Sequence, residues 1–122
     1  MDTFVDSQAS LLRENLIITE IGKSQLNSVI HSPIRLRIMS VLMVAGKSTP
    51  IEFPVLRELL EATDGNLGAH LTRLEKAHYI ETNRTSVFRG RPLTYISITE
   101  IGRQAYKKHA ATLMKILNFH EI

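Results

Sequence analysis

Apolar residues recur at helical spacing through the middle of the chain. Ile34, Ile38, Val41, Leu42 and Ala45 share one face of a predicted helix that opens at Ser32-Pro33. Ser suits the N-cap, because its hydroxyl accepts an orphan backbone N–H, and Pro suits the first helical position. Gly46 stops this helix. Leu36, Met39 and Met43 make a second stripe, about 150–180° around at roughly 100° per residue. A helix apolar on two sides is buried on two sides. One side faces its own domain; the other calls for the N-terminal segment, the C-terminal helix or a partner subunit. KSTPIEF (47–53) holds a turn and a short extended piece, and Pro54 opens a second helix with Val55, Leu56, Leu59 and Leu60 as its apolar positions. The pattern breaks at 62–65, where Thr63 or Asp64 can cap the next helix and Gly65 eases the join. A third helix spans about 65–77, with Leu67, Leu71 and Leu74 inward.

After Tyr79 the period changes. YIETNRTSVF (79–88) and LTYISI (93–98) are rich in β-branched and aromatic residues and flank Arg89-Gly90-Arg91-Pro92, which predicts a β-hairpin with an arginine-bearing tip. Thr99 caps a last long helix reaching about Phe119, along which Tyr106, Ala110, Leu113 and Leu117 form an apolar stripe suited to pairing with another helix. Residues 1–25 are less regular. Leu11, Leu12, Leu16, Ile17, Ile18 and Ile21 suggest a helix followed by an extended segment, too apolar for a free tail. The expected organisation is an N-terminal extension (1–25) at a dimer interface, a central domain (26–98) and a C-terminal dimerisation helix (99–122).

Two short helices joined by a tight turn, then a basic-tipped hairpin, make a helix-turn-helix with a wing. DGNLGAHLTRLEKAHYI (64–80), FRGRPLTYISITEIGRQAY (88–106) and IHSPIRLRIMSVL (30–42) resemble the compact winged helix regulators related to the MarR and ArsR families. The resemblance covers about residues 30–117 and is most specific in the recognition helix, the GRP wing and the T-x-x-G-R formed by Thr99, Gly102 and Arg103. It implies a mainly α fold with a two- or three-stranded antiparallel wing and a homodimeric regulator that binds double-stranded DNA. It names no operator or signal. One departure is His78, where relatives usually carry Gly; a left-handed backbone there would leave the helix end less relaxed.

The residues point to the same site on their own. Opposite the leucines of the third helix lie Ala69, Thr72 and Lys76, flanked by Asn66 and Arg73 on one side and Gly68 on the other. This face is small near its start and basic near its end, as entry into a major groove requires. Asn66, Thr72 and Arg73 are candidates for contacts at or near base edges, and Lys76 for a phosphate. Arg84, Arg89 and Arg91, with Gly90 between the last two, equip the wing for the minor groove or its phosphates. His70 lies on the helix flank and is expected to be packed and hydrogen-bonded, with a DNA contact as the alternative. Arg35 and Arg37 suit salt bridges and phosphate contacts equally. Arg103 suits a structural pairing, and His78, in phase with the leucines, suits partial burial.

Composition narrows the classes. The chain has 122 residues, 43% hydrophobic and 22% charged, and no cysteine. That is a globular balance, and it excludes disulfides, thiolate metal sites and thiol chemistry. No apolar run approaches the roughly 18 residues of a membrane span, and the N-terminus carries acids where a secretion signal carries basic residues. A cytoplasmic protein without a membrane partner is expected. Residues 1–65 carry a formal charge of −2 and residues 66–122 carry +5, so an anionic partner belongs to the second half. His109 and His120 have the spacing of zinc-sensing relatives. Lys107, however, stands where those sensors carry an acid, and their later ligand has no counterpart before Ile122. Two ligands do not close a zinc site, so no metal or other cofactor is expected. No phosphate loop, HExxH or GxSxG motif is present, and Glu58 and Glu61 fit a solvated helix face, so an enzyme is not expected. Two rival classes are a sequence-tolerant architectural DNA-binding protein and a winged helix serving as a protein–protein adaptor. A small-molecule effector fits the regulator class, but no pocket for one can be named.

Overall fold

The computed structural model describes residues 3–88 and 91–118. In chain order these form α1 (Thr3–Arg13), α2 (Leu16–Lys23), α3 (Pro33–Ala45), β1 (Ile51–Glu52), α4 (Phe53–Leu59), α5 (Asp64–Lys76), β2 (Ile80–Phe88), β3 (Arg91–Ile98) and α6 (Glu100–Asn118). The larger of two compact units is Asn27–His109; the smaller contains α1, α2 and α6 from Ala110 onward.

In the larger unit, β3 lies between β1 and β2 in an antiparallel sheet. Ile51 pairs with Ile96, Ile80 with Ile98 and Thr82 with Ile96. Ile80, Ile96 and Ile98 therefore share the face that closes over the helices. They join Ile30, Ile38, Met39, Leu42, Leu56, Leu60, Leu67, Leu71 and Leu74 in one core. The hairpin register slips between Thr85 and Phe88. The predicted winged helix-turn-helix is thus observed, with the sheet in its three-stranded form.

Local signals set most boundaries. Pro33 starts α3, and Gly46, at φ +89°, ends it. The Thr63 hydroxyl accepts the Asn66 N–H at 3.1 Å and starts α5. Thr99 accepts the Gly102 N–H at 2.9 Å at the head of α6, while its own hydroxyl donates to the His78 carbonyl at 2.6 Å. Gly102 is required by a close approach: a Cβ there would sit well inside contact with the Tyr79 carbonyl.

Two helix ends use left-handed residues that are not glycine. Glu61 has φ +52° and His78 has φ +64°. At each, two hydrogen bonds fold the chain back in a Schellman arrangement: His78 N–H to Glu75 and Tyr79 N–H to Leu74, and likewise Glu61 N–H to Glu58 and Ala62 N–H to Arg57. The strained position of the α4–α5 turn is thus Glu61 rather than Gly65, which lies inside α5. An ion pair from Arg57 to Asp64 at 2.6 Å spans that turn.

Several expectations need correction. Met39 offers nothing to a partner, because it is fully buried in its own core. Leu36 and Met43 are half-buried against the same core, and Tyr106, packed against it too, bonds the Ser40 hydroxyl at 2.8 Å. Val55 and Leu59 are exposed rather than inward, since the short α4 turns only Leu56 into the core, followed by Leu60. Leu59 and Val44, the latter 90% exposed, line an apolar surface depression with Val41, Ala45 and Ile51. His78 is exposed because α5 ends before it and the left-handed turn moves it out of phase with the leucines.

In the smaller unit, the segment after α1 is a helix rather than extended. The Asn15 side chain accepts the N–H groups of Ile17 and Ile18 at 2.9 and 3.2 Å, and this cap overrides the β preference of the isoleucines. Leu11, Leu12, Leu16 and Ile18 are exposed on this pair of helices.

Asn27 and His109 close the base of the larger unit. The Asn27 N–H donates to His109 Nδ1 at 3.0 Å, and its side-chain amide donates to the Tyr79 hydroxyl at 2.8 Å. His109 is therefore neutral with its proton on Nε2, which is buried without a partner. No group of metal-ligating residues occurs among the described residues. His120, the other half of the zinc-like spacing, lies outside them.

Glycine swaps in opposite directions at the α5–α6 corner should have opposite signs. His78→Gly relieves a left-handed side chain and should raise unfolding stability by about 0.5–1 kcal/mol. Gly102→Ala should lower it by about 1–3 kcal/mol through overpacking. Denaturant titration measures both.

A second prediction concerns pH. Burial, then the nearby charge of His31, pushes His109 below its ordinary value. Burial, then Arg35 and Arg73, does the same to His70. Unfolding lets both take up protons near the ordinary value of about 6.5. The stability they confer is therefore complete above that pH and is lost as pH falls toward and through their folded values. His109→Gln, which retains an acceptor for Asn27, should show a shallower loss of stability between pH 7 and 5 than the natural chain. Parallel curves would contradict this origin.

Candidate nucleic-acid interface

The phase of Leu67, Leu71 and Leu74, all buried, turns the opposite face of α5 outward. Asn66, Ala69, Thr72, Arg73 and Lys76 are exposed, and Gly68 is half-buried at the edge. The candidate residues of this helix therefore come together on one surface, apart from His70, which is half-buried. Asp64 in the first turn and Arg73 and Lys76 in the last turn each complement the helix dipole. The Thr72 hydroxyl donates to the Gly68 carbonyl at 2.9 Å, which holds its methyl and oxygen close to the helix surface and keeps this face low.

A cleft of about 380 Å³ runs between α5 and the sheet, with Gly68, Thr72, Glu75, Thr82, Arg84 and Thr94 among its lining residues. Arg84 is exposed on β2 and paired in register with Thr94. The wing arginines divide. Arg91 begins β3 opposite Phe88, whereas Arg89 and Gly90 lie outside the described residues. Glu75 was not a candidate from sequence, yet it is the acid lining this cleft. A carboxylate there can accept a hydrogen bond from cytosine N4.

Beneath α5, the Arg35 guanidinium donates through Nε to the Val29 carbonyl at 2.5 Å and through Nη1 to His70 Nδ1 at 2.9 Å. His70 is thus packed and hydrogen-bonded, as the sequence suggested. Arg35 is only 7% exposed, while Arg37 is exposed. Burial, and then the charge of Arg73, pushes Arg35 below its ordinary value. Arg103 is structural: it reaches Glu100 at 3.9 Å and the Met43 sulfur at 4.0 Å.

Of the residues expected at a dimer interface, Leu36, Met43 and Tyr106 are half-buried against the core of the larger unit. Farther along α6, Ala110 and Leu113 are half-buried and Leu117 is 53% exposed. Met114, 55% exposed beside Leu113, escaped the sequence pattern.

Three helices, a three-stranded sheet with a long hairpin, and an outward α5 beside that hairpin define a winged helix DNA-binding domain. The chain belongs to the family described as winged helix DNA-binding domain, whose model matches residues 34–117. An uncharacterized protein of Methanocaldococcus jannaschii is 36% identical over 88 residues, which is 72% of this chain and 91% of that protein. Among solved structures, a transcriptional regulator homologue from Pyrococcus horikoshii OT3 superposes with a TM-score of 0.70. It is 27% identical, over 87% of this chain and 98% of that one. A MarR-like putative transcription regulator from Bacillus cereus shares the fold, with a TM-score of 0.58 and 17% identity over 96% and 81% of the two chains. No described helix is long and apolar enough to cross a membrane.

Proposed function

We propose that this protein is a transcriptional regulator that binds double-stranded DNA sequence-specifically as a homodimer. The carrying observation is the exposed face of α5, small through Gly68 and Ala69 and cationic at Arg73 and Lys76, beside a hairpin bearing Arg84. A major groove accepts a helix of this profile: nothing bulky meets the groove floor, and the cations meet the backbone. Asn66, Thr72 and Arg73 would lie at or near base edges, and Lys76 at a phosphate. Arg84, with Arg89 and Arg91 at the tip of the wing, would reach the adjacent minor groove or its phosphates.

The dimer would be built from the N-terminal extension and the end of α6. Exposed apolar residues on both, Leu11, Leu16 and Ile18 on one and Met114 and Leu117 on the other, favour this. Two copies of α5 would then enter successive major grooves about 34 Å apart on a pseudo-palindromic site. Occlusion of a promoter, or an effector that alters the spacing of the two helices, would give regulation.

Selection of bound duplexes from a random pool, followed by sequencing, should enrich an inverted repeat with half-sites about one turn apart. Against the enriched duplex, Arg73→Ala should weaken binding and relax the preference at one position, at a cost of about 1–3 kcal/mol. Lys76→Ala should weaken all duplexes alike and reduce the salt slope by about 1. Ala69→Leu should abolish binding while changing stability by no more than about 0.5 kcal/mol. Retention without an enriched motif would make the protein architectural. No retention at low salt, or a monomer at micromolar concentration, would contradict the proposal.

A further inference from the structure

We infer that Arg35 and His70 together form a binding site for one backbone phosphodiester of the DNA. The inference rests on the duplex-binding function proposed above and extends it to an element outside the recognition helix.

The anomaly is Arg35. A guanidinium is always charged and has donors only. Buried charges are ordinarily paired, because an uncompensated one is costly. Arg35 is 93% removed from solvent, yet no carboxylate pairs with it among the described residues. Its partners are a neutral carbonyl and a neutral imidazole nitrogen. The nearest charge acting on it is another cation, Arg73. A guanidinium and an imidazole thus meet with no carboxylate paired to them among the described residues.

The hydrogen bonding also fixes which donors are left over. Arg35 can only donate, so His70 Nδ1 accepts and the imidazole proton sits on Nε2. Neither His70 Nε2 nor Arg35 Nη2 has an acceptor among the described residues. Among the described residues only His109 Nε2 is both sealed from solvent and unpartnered, so these two donors are open to an incoming group. A phosphodiester supplies what is missing: a single negative charge and two free oxygens that accept from guanidinium and imidazole N–H groups.

A base edge fits less well. Arg35 is too deeply held to reach into a groove, so its ligand must come to the protein surface, as a backbone phosphate flanking the groove does. The phosphate would then set the depth and tilt of α5, with Arg35 as an anchor from α3 and His70 as the donor from α5 itself. This contact carries no sequence information.

The test is a scan of the enriched duplex in which one phosphate at a time is replaced by a neutral methylphosphonate. Binding is measured for the natural chain, Arg35→Gln and His70→Ala, each first checked for native circular dichroism. In the natural chain, neutralisation of one phosphate per half-site should weaken binding about 10-fold or more. Each variant should lose a similar factor on the unmodified duplex, equally for enriched and scrambled sequences, with a salt slope lower by about 1 per site for Arg35→Gln and unchanged for His70→Ala, whose imidazole is neutral. Neither variant should lose more when that same phosphate is neutralised. His70, being half-buried, carries the test if Arg35→Gln does not fold. If the natural chain binds but no phosphate position is masked in the variants, this site is overturned and the DNA-binding function stands. If the natural chain binds no duplex, both fall together.

Discussion

The corner at His78–Tyr79 fixes the geometry of the larger unit. Within two residues the chain ends α5, starts β2 and meets the head of α6. The Tyr79 N–H folds back to Leu74, its carbonyl accepts from Thr99, and its hydroxyl accepts from Asn27. The Thr99 hydroxyl ties down the His78 carbonyl, and Gly102 lets α6 approach so closely that no side chain fits between them. The end of α5, the root of the hairpin and the last helix therefore form one joint. The left-handed conformation of His78 is the strained element of that joint, held by neighbouring bonds that leave the backbone no alternative.

The electrostatics follow from this joint. Because α5 stops at Lys76, its cations fall in the last turn, where the helix dipole favours them. Its small residues fall toward the start, beside Thr72, whose hydroxyl is turned back on the helix. The wing then leaves the corner along β2 and brings Arg84 to the cleft. Positive charge is thus spread along an edge that begins under α5 with Arg35 and continues on the hairpin. Such an edge matches the long, regularly charged face of a duplex better than a compact anion.

Elements with local signals were legible in the sequence. Pro33, Gly46, Thr63 and Thr99 mark helix boundaries through chemistry that acts within four residues, and the alternation of LTYISI marks β3 wherever it packs. The outward face of α5 was legible too, because three leucines fix its phase. Features that depend on distant partners were not. Met39 reads as part of a second stripe although it is fully buried in the core, and the role of His109 is not visible until Asn27, 82 residues away in sequence, is seen bonding it. Val55 and Leu59 look like core because nothing in the sequence says how short α4 is. The second N-terminal helix was hidden behind β-branched residues, although Asn15 was in place to cap it. The Arg35–His70 pair joins residues 35 apart, so each was a candidate alone and their shared lack of a counter-ion was invisible.

Entry of α5 into the major groove is the central claim, and methylation interference on the enriched duplex tests it most directly. N7 methylation of guanine blocks the major-groove edge, and N3 methylation of adenine blocks the minor groove. Binding should be lost when guanines are methylated in two patches about one helical turn apart, with adenine methylation acting only where the wing would lie. If guanine N7 methylation leaves binding unchanged throughout a guanine-containing site, α5 does not occupy the major groove, and the account is contradicted.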